Sequence, residues 1–262
     1  ARTGGVMRTL FRTPSRDLEM IRQFDEPSKS WHPTRFPVRT PADIQAMTEV
    51  FEDVEIELDR EGLREAHRQS EQIGSNALTT NAMGESPLMH WVEWLAGVEN
   101  AHLLLADRQQ DVEALFEAMH AVLMAKTRLL CQYSPADVLY LIENTSTTLI
   151  SPHQYRRYCA RHVGAYARLT RNAGRNLILH MCGHLKALLP ELGKIPAQAF
   201  EAFTSPTLGN TTLLDGRSAC PDKCLIGGTN AMVWTKSAGD IIAKIEEDLN
   251  ALPHHQGIVV TS

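Results

Sequence analysis

Two rhythms of apolar and polar positions run along this chain. From residue 73 onward, short apolar runs ending in small or polar residues each precede a longer stretch with apolar positions three and four apart. The short runs are Ile73–Ala82, Val138–Glu143, Leu177–Cys182, Gln198–Thr204, Cys224–Asn230 and Ile258–Ser262, and they predict strands. They are apolar on both faces, as parallel strands covered by helices are. The longer stretches predict helices. Residues 111–130 place Val112, Leu115, Phe116, Met119, Val122 and Leu123 on one face. Residues 152–170 open on Ser151-Pro152 and carry Tyr155, Tyr158, Cys159, Val163 and Tyr166 inward. Residues 238–252 start at Ser237 and Asp240, with Ile241, Ile242, Ile245 and Leu249 expected to be buried.

Before residue 40 the pattern is weaker. Met7–Phe11 has the character of a strand, but Pro14, Pro27, Pro33, Pro37 and Pro41 interrupt the chain behind it, so 1–40 reads as an irregular lead-in. Thr40-Pro-Ala-Asp43 has the form of a capping box, with Ile44, Met47, Val50 and Phe51 at helical spacing behind it. Six strand–helix steps in about 190 residues predict an α/β protein, a (β/α)8 TIM barrel lacking one or two N-terminal strands. A doubly wound sheet is the competing architecture. No G-x-G-x-x-G turn follows any strand, which argues against a dinucleotide fold; Leu225-Ile-Gly-Gly-Thr-Asn230 has paired glycines without that spacing. With no internal repeat and no linker, 1–262 is expected to be a single domain.

Composition narrows the functional classes. The 262 residues are 43% hydrophobic and 22% charged, with a formal charge of −5 spread along the chain. No basic stripe is available to neutralise phosphates, so nucleic acid is not an expected partner. No apolar run reaches the roughly 18–20 residues of a membrane span, and the first residues carry no apolar signal segment. Five scattered cysteines lack the density of a secreted disulfide scaffold, which points to a reducing, cytoplasmic setting.

The sharpest chemical feature is Leu177-Ile-Leu-His-Met-Cys-Gly-His184. Residues two apart on a strand project to the same side, so His180 and Cys182 are expected to point together from the C-terminal edge, where barrel enzymes place their active sites. An imidazole and a thiolate there suit zinc. Gly183 lets the chain turn, and His184 comes next as a surface or supporting residue. The alternative is plain core packing, because His-x-Cys alone is a short motif and buried cysteines serve as small apolar groups. Glu143, at the end of the preceding strand, is either a third ligand or a carboxylate bonded to the loop hydroxyls of Thr145 and Ser146. Cys220 and Cys224 form a C-x3-C pair, but Cys224 begins a strand and reads as structural. Cys131 and Cys159 sit within helices, and His254 and His255 precede the last strand. Polar residues at other strand ends, Asn81, Asn144, Thr204 and Asn230, are candidates for substrate contact, each alternatively a partner for loop backbone.

Three segments carry a family resemblance: Glu143-Asn-Thr-Ser-Thr-Thr-Leu-Ile-Ser-Pro152 before an aromatic-rich helix, Leu179-His-Met-Cys-Gly183 with Leu188-Leu-Pro-Glu-Leu192 behind it, and Cys224-Leu-Ile-Gly-Gly-Thr-Asn230. From about Val38 to Ser262 the chain resembles the uroporphyrinogen decarboxylase superfamily, and its His-x-Cys-Gly segment resembles the zinc-dependent, corrinoid-linked methyltransferase branch. The arginine-rich N-terminal motif of the metal-free decarboxylases has no counterpart, since Met7-Arg-Thr and Ile21-Arg-Gln do not match it. The resemblance implies a TIM barrel that binds zinc through His180 and Cys182. It also implies methyl transfer from methylcobalamin, a corrinoid carried by a partner protein, to a small-molecule acceptor such as a thiol. That branch usually supplies a further zinc cysteine just beyond the last strand. The chain reaches Ser262 without one, so Glu143 or solvent is expected to complete the coordination, and both barrel ends are expected to be truncated. The same barrel admits two other readings: a metal-free decarboxylase acting on a tetrapyrrole or other acid, with Arg35 and Arg39 as early cationic donors, and a non-catalytic corrinoid-protein-binding barrel.

Overall fold

A computed structural model describes residues 2–3 and 5–261. In chain order it contains β1 (Arg2–Thr3), β2 (Val6–Arg12), β3 (Asp17–Asp25), β4 (Ser30–Arg35), α1 (Pro41–Glu52), α2 (Arg60–Ile73), β5 (Thr80–Gly84), α3 (Pro87–His90), α4 (Val98–Asp107) and α5 (Gln109–Tyr133). Next come β6 (Val138–Ile142), α6 (Pro152–Gln154), α7 (Ala160–Asn172), β7 (Asn176–His180), α8 (Leu189–Leu192), β8 (Ala199–Phe203), α9 (Leu213–Ala219), β9 (Cys224–Gly228), α10 (Ala238–Asn250) and β10 (Ile258–Thr261). The residues divide into two compact units, one of 1–56 with 87–123 and one of 57–86 with 124–262.

The first unit corrects the expectation of an irregular lead-in. Residues before 36 form a four-stranded antiparallel sheet, β1-β2-β3-β4, with seven consecutive pairs from Val6↔Gln23 to Arg12↔Asp17. The prolines do not prevent this, because each occupies a position the ladder tolerates. Pro14 and Pro27 lie between strands, and Pro33 is on β4, an edge strand. Helix α1 begins as its capping box predicts: Asp43 Oδ2 accepts from the amides of Thr40 at 2.8 Å and Arg39 at 3.0 Å. Ile44 and Met47 are fully buried, whereas Val50 and Phe51 are partly exposed. Gly97 has φ +76, and a Cβ there would meet the Phe36 ring at 2.6 Å, so this turn requires glycine.

The second unit holds the six-stranded parallel sheet, ordered β10-β9-β8-β7-β6-β5, each strand paired to its sequence neighbour. Strictly sequential parallel order is what a barrel lays down and what a doubly wound sheet, with its reversal, does not. Among the described residues β5 and β10 are not paired with each other, so this sheet is open. The first expected strand is shifted. Ile73 ends α2, residues 74–76 form a 3-10 turn, and pairing begins at Thr80, because Asp137 Oδ2 takes the amide and hydroxyl of Thr79 and sets the register. Leu78, expected inside a strand, is 78% exposed in the connecting loop.

The aromatic helix forms as expected, with one modification. Ser151 and Gln154 cap each other reciprocally, a π-turn spans Tyr155–Cys159, and α7 continues from Ala160. Tyr155, Tyr158, Cys159, Val163 and Tyr166 are all buried, as their spacing predicts. In α5, Val112, Leu115, Phe116, Met119 and Leu123 are buried, while Val122 is partly exposed. Helix α10 has the predicted cap, with the Asp240 amide donating to Ser237 Oγ, but not the predicted burial. None of its residues is buried and Ile242 is 56% exposed. Helical spacing shows that Ile241, Ile242, Ile245 and Leu249 share a stripe; it does not show that another element covers it.

Buried Arg217 at the N-terminal edge of the sheet joins α9 to the start of β10. Its guanidinium donates to the carbonyls of Pro221 (2.6 Å), Lys223 (2.9 Å) and Gln256 (2.8 Å). Replacing it with methionine, close in volume but without donors, leaves several acceptors unmet. Unfolding by urea should show a loss of about 3 kcal/mol or more. A change within about 0.5 kcal/mol would show that these bonds add nothing beyond packing.

Candidate functional site at the C-terminal edge of the parallel sheet

Three adjacent strands of the second unit place Tyr140 (β6), His180 (β7) and Glu201 (β8) side by side. The register pairs Ile142 with His180 and His180 with Glu201, while Tyr140 shares the face of Ile142, two residues away. The Tyr140 hydroxyl donates to Glu201 Oε2 at 2.6 Å and lies 2.9 Å from His180 Nδ1. His180 Nδ1 is in close contact with the same carboxylate oxygen. Glu201 precedes a bulge in the β8–β9 register, where Ala202 adopts φ +65, and such bulges re-aim the side chains beside them.

His180 and Cys182 do converge, though not by strand alternation. The strand ends at His180, so Cys182 lies in the following loop, exposed, while Met181 between them is fully buried. The Cys182 thiol lies near enough to the imidazole to raise its pKa and donates to Asn144 Oδ1 at 3.5 Å. Two loops lock this arrangement together. The His180 carbonyl accepts from the amides of Glu143 (2.9 Å) and Asn144 (3.1 Å), and the His184 carbonyl accepts from the amide and hydroxyl of Thr147. Ser146 Oγ accepts from the His184 amide at 3.0 Å. Gly183 has φ +117, and a Cβ there would meet Ser146 Oγ at 2.7 Å, so no other residue fits this turn.

Cys182 and the Glu201 carboxylate, both acting as acceptors for the protonated ring, raise the His180 pKa to about 9, against the opposing effect of burial. Burial would raise Glu201, but the bonds from His180 and Tyr140 outweigh it and hold the carboxyl below its ordinary value. Burial and the Glu201 carboxylate push the Tyr140 phenol up, so it remains a neutral donor.

Glu143 is not gathered with this pair. It is 1% exposed, with Oε1 accepting from the Ser86 amide at 2.6 Å and Oε2 from the Cys159 thiol at 3.2 Å. Both expected roles are therefore corrected: its oxygens meet neither His180 nor the hydroxyls of Thr145 and Ser146, because the turn after β5 and the π-turn before α7 supply nearer donors. Among the described residues, no group of three or more His, Cys, Asp or Glu side chains is arranged to hold a metal ion. The fit to zinc thus rests on two residues, a borderline nitrogen and a thiol, with a carboxylate on Nδ1 that leaves Nε2 available. That carboxylate is the usual support of a metal-binding histidine.

The remaining candidates are placed apart from the pair or are used structurally. Asn144 is the exception: with φ +45 it brings its amide to Cys182. Asn81 is the second residue of β5, at the opposite edge, where it donates to Ser134 Oγ and lines a hollow of about 280 Å3. Thr204 bonds the carbonyl of Ala202. Asn230, 2% exposed, donates to Ser205 and Pro206 and accepts from the amides of Met232 and Val233, so it braces the loop after β8. Cys224 begins β9 at the far edge, as expected, with burial raising the pKa of both it and Cys220. Sequence reading missed Tyr140 and Glu201. Each is the lone polar residue of an otherwise apolar strand, a signal that was present but unassigned.

Residues 34–262 match the sequence model of the uroporphyrinogen decarboxylase (URO-D) family, 229 of the 262 residues. The chain belongs to this family. Among solved structures, a methyltransferase from Methanosarcina mazei resembles it with a TM-score of 0.61 at 12% identity, over 88% of this chain and 65% of that one. This likeness concerns the fold, and the chain spans just under two thirds of that protein's length. No curated protein matches the sequence. Membership of the family agrees with the sequential parallel sheet and its helices, since the family's fold is the TIM barrel.

Glu143 generates a prediction of its own. Burial raises its pKa to about 7, against the hydrogen bonds from Ser86 and Cys159 that favour the charged form. The folded state therefore holds a proton that the unfolded chain releases above its ordinary value of 4.5. Its contribution to stability is complete below that value and is lost as pH rises through about 7. Glu143→Gln removes this dependence. The stability difference between variant and wild type, from urea unfolding at pH 5 and pH 8, should move in favour of glutamine by roughly 2.5 kcal/mol. An unchanged difference across that range would mean that Glu143 ionises without penalty.

Proposed function

We propose that this chain is the barrel of a zinc-dependent methyltransferase. It would move a methyl group from a methyl-corrinoid, carried by a partner protein, to a thiol or similar nucleophilic acceptor. The observation that carries this reading is that the C-terminal edge of the sheet bears His180 at the end of β7 and Cys182 in the loop directly after it, with Glu201 held on Nδ1 and Asn144 beside the thiol. Both donors lie where barrel enzymes hold their substrates. The URO-D family membership and the methyltransferase neighbour support the reading. All five cysteines are free, which supports a reducing, cytoplasmic setting. No helix among the described residues is long and apolar enough to cross a membrane.

His180 and Cys182 would hold the zinc, which supplies a Lewis acid that lowers the pKa of a bound acceptor. Glu201 accepts the Nδ1 proton and fixes the ring orientation and tautomer, so His180 offers Nε2. Cys182 ligates as thiolate, and the Asn144 side chain lies beside its sulfur. The amides of Glu143 and Asn144, donating to the His180 carbonyl, and the His184 amide, donating to Ser146 Oγ, keep the two loops from separating, so both donors stay in place as the acceptor enters.

A second reading is favoured by two observations: among the described residues no third metal donor joins His180 and Cys182, and His180 is held as an imidazolium near neutral pH. A metal-free decarboxylase would use that cation against a substrate carboxylate. Elemental analysis separates the readings, with about one zinc per chain expected for the methyltransferase and none for the decarboxylase. A methylcob(III)alamin assay with a panel of thiols should show transfer, and its absence despite bound zinc would indicate a corrinoid-protein-binding barrel. Cys182→Ser should lose both zinc and transfer; retention of both would end the proposal.

Zinc uptake has a defined pH dependence. His180 carries its proton up to about pH 9, and metal must displace it. Apparent zinc affinity should therefore rise about tenfold per pH unit from this residue, from near neutrality to about 9, and then level. Chelator competition at pH 6.5, 7.5 and 8.5 would measure it, and a flat profile would exclude His180 as a ligand.

A further inference from the structure

We infer that Tyr140 is a positioning residue of this site: its hydroxyl anchors Glu201 against Nδ1 of His180 and thereby decides which imidazole nitrogen is presented to the ligand. The inference rests on the zinc reading above.

Strand β6 reads Val-Leu-Tyr-Leu-Ile, and a phenylalanine at its centre would fill the same volume and suit an apolar strand better. The hydroxyl is therefore the informative atom. It reaches over the neighbouring strand to Glu201 Oε2 at 2.6 Å and stands 2.9 Å from His180 Nδ1. Strands β6 and β8 flank β7, so Tyr140 and Glu201 approach the imidazole from either side. One carboxylate oxygen thus receives two donors, the phenol O–H and the ring N–H.

That arrangement has a mechanical consequence. A glutamate side chain has three rotatable bonds, and its contact with Nδ1 alone would leave it free to swing about that single contact. The second donor, fixed on a rigid ring from another strand, removes this freedom. With Nδ1 committed to the carboxylate, Nε2 is the nitrogen left for a metal. Tyr140 touches neither acceptor nor metal in this scheme; it acts through Glu201.

The test compares wild type with Y140F, E201A and the double variant. Zinc affinity is measured by chelator competition, and the Nδ1 proton of His180 is followed by NMR of histidine-labelled, metal-free protein. Losing such a supporting bond typically costs 10- to 100-fold in metal affinity, so Y140F should bind zinc about tenfold more weakly than wild type and E201A at least as weakly as Y140F. The double variant should match E201A, because the hydroxyl acts only through the carboxylate. In the metal-free protein, the Nδ1 proton should exchange with water at least several-fold faster in Y140F. Wild-type affinity and wild-type exchange in Y140F would overturn the inference. So would an equal loss from Y140F in the E201A background, which would make Tyr140's role independent of Glu201. If wild type takes up no zinc, the methyltransferase reading falls by itself, and the NMR comparison still decides the role of Tyr140. The Y140F change removes one oxygen and leaves the ring, and a matching thermal transition would confirm that its fold is intact.

Discussion

The arrangement of this site depends on one hydrogen-bonded carboxylate, Glu201, held between the Tyr140 hydroxyl and the His180 imidazole. Three neighbouring strands converge on it, and the bulge at Ala202 turns the chain immediately after it. An imidazole has two distinct nitrogens that can reach a metal, and a protein selects one by occupying the other. Here the occupied nitrogen is Nδ1. The loop carrying Cys182 then places its sulfur at the same edge of the sheet, beside Asn144, and backbone amides from the loop after β6 hold that loop. Sheet register, loop seam and carboxylate act together; without the carboxylate, the imidazole would be free to turn and the other two would present an unoriented ring.

Two glutamates, Glu143 just after β6 and Glu201 within β8, show how environment rather than residue type assigns a role. Glu143 is sealed among a backbone amide and a thiol, and burial drives its pKa up. Glu201 meets a cationic partner and a phenol, and these hold its pKa down despite the desolvation it suffers. The first is a structural acid that ties the end of β6 to the turns beside β5 and α7. The second is a permanent anion able to orient a histidine. The sequence motif Glu143-Asn-Thr-Ser draws attention to the wrong carboxylate, because a motif records position along the chain and not what faces the side chain.

Legibility of the sequence followed the range of the interactions involved. Helix α7 and its buried tyrosines could be read because a 3.6-residue repeat is local, and the caps at Thr40, Ser151 and Ser237 could be read for the same reason. The parallel sheet was legible as a sequence of apolar runs, though Ile73–Ala82 was misplaced, since an Asp137–Thr79 bond across 58 residues sets where pairing starts. The N-terminal sheet was hidden by prolines, whose tolerance depends on whether a strand is an edge. His180 and Cys182 were visible because they are two residues apart. Tyr140 and Glu201 lie 40 and 21 residues from His180, and only the register of β6, β7 and β8 joins them. The exposure of Ile242 belongs to the same class of misses: a stripe is a local property and its cover is not.

This geometry also bears on how one family accommodates different chemistries. In the zinc reading proposed above, proton and metal would compete for the same lone pair of His180, and Glu201 would favour both, because a carboxylate on Nδ1 raises the basicity of the ring. Without metal the ring would be an imidazolium suited to a carboxylate substrate; with metal it would be a neutral ligand beside a thiolate. Cys182 acts on both states. Its sulfur raises the basicity of the ring and, in the zinc reading, would add a soft donor for the metal, so replacing this one side chain should weaken protonation and metal binding together while leaving Tyr140, Glu201 and the strands unchanged. A scaffold that holds an imidazole by one nitrogen therefore suits either chemistry, and a single loop position sets how strongly.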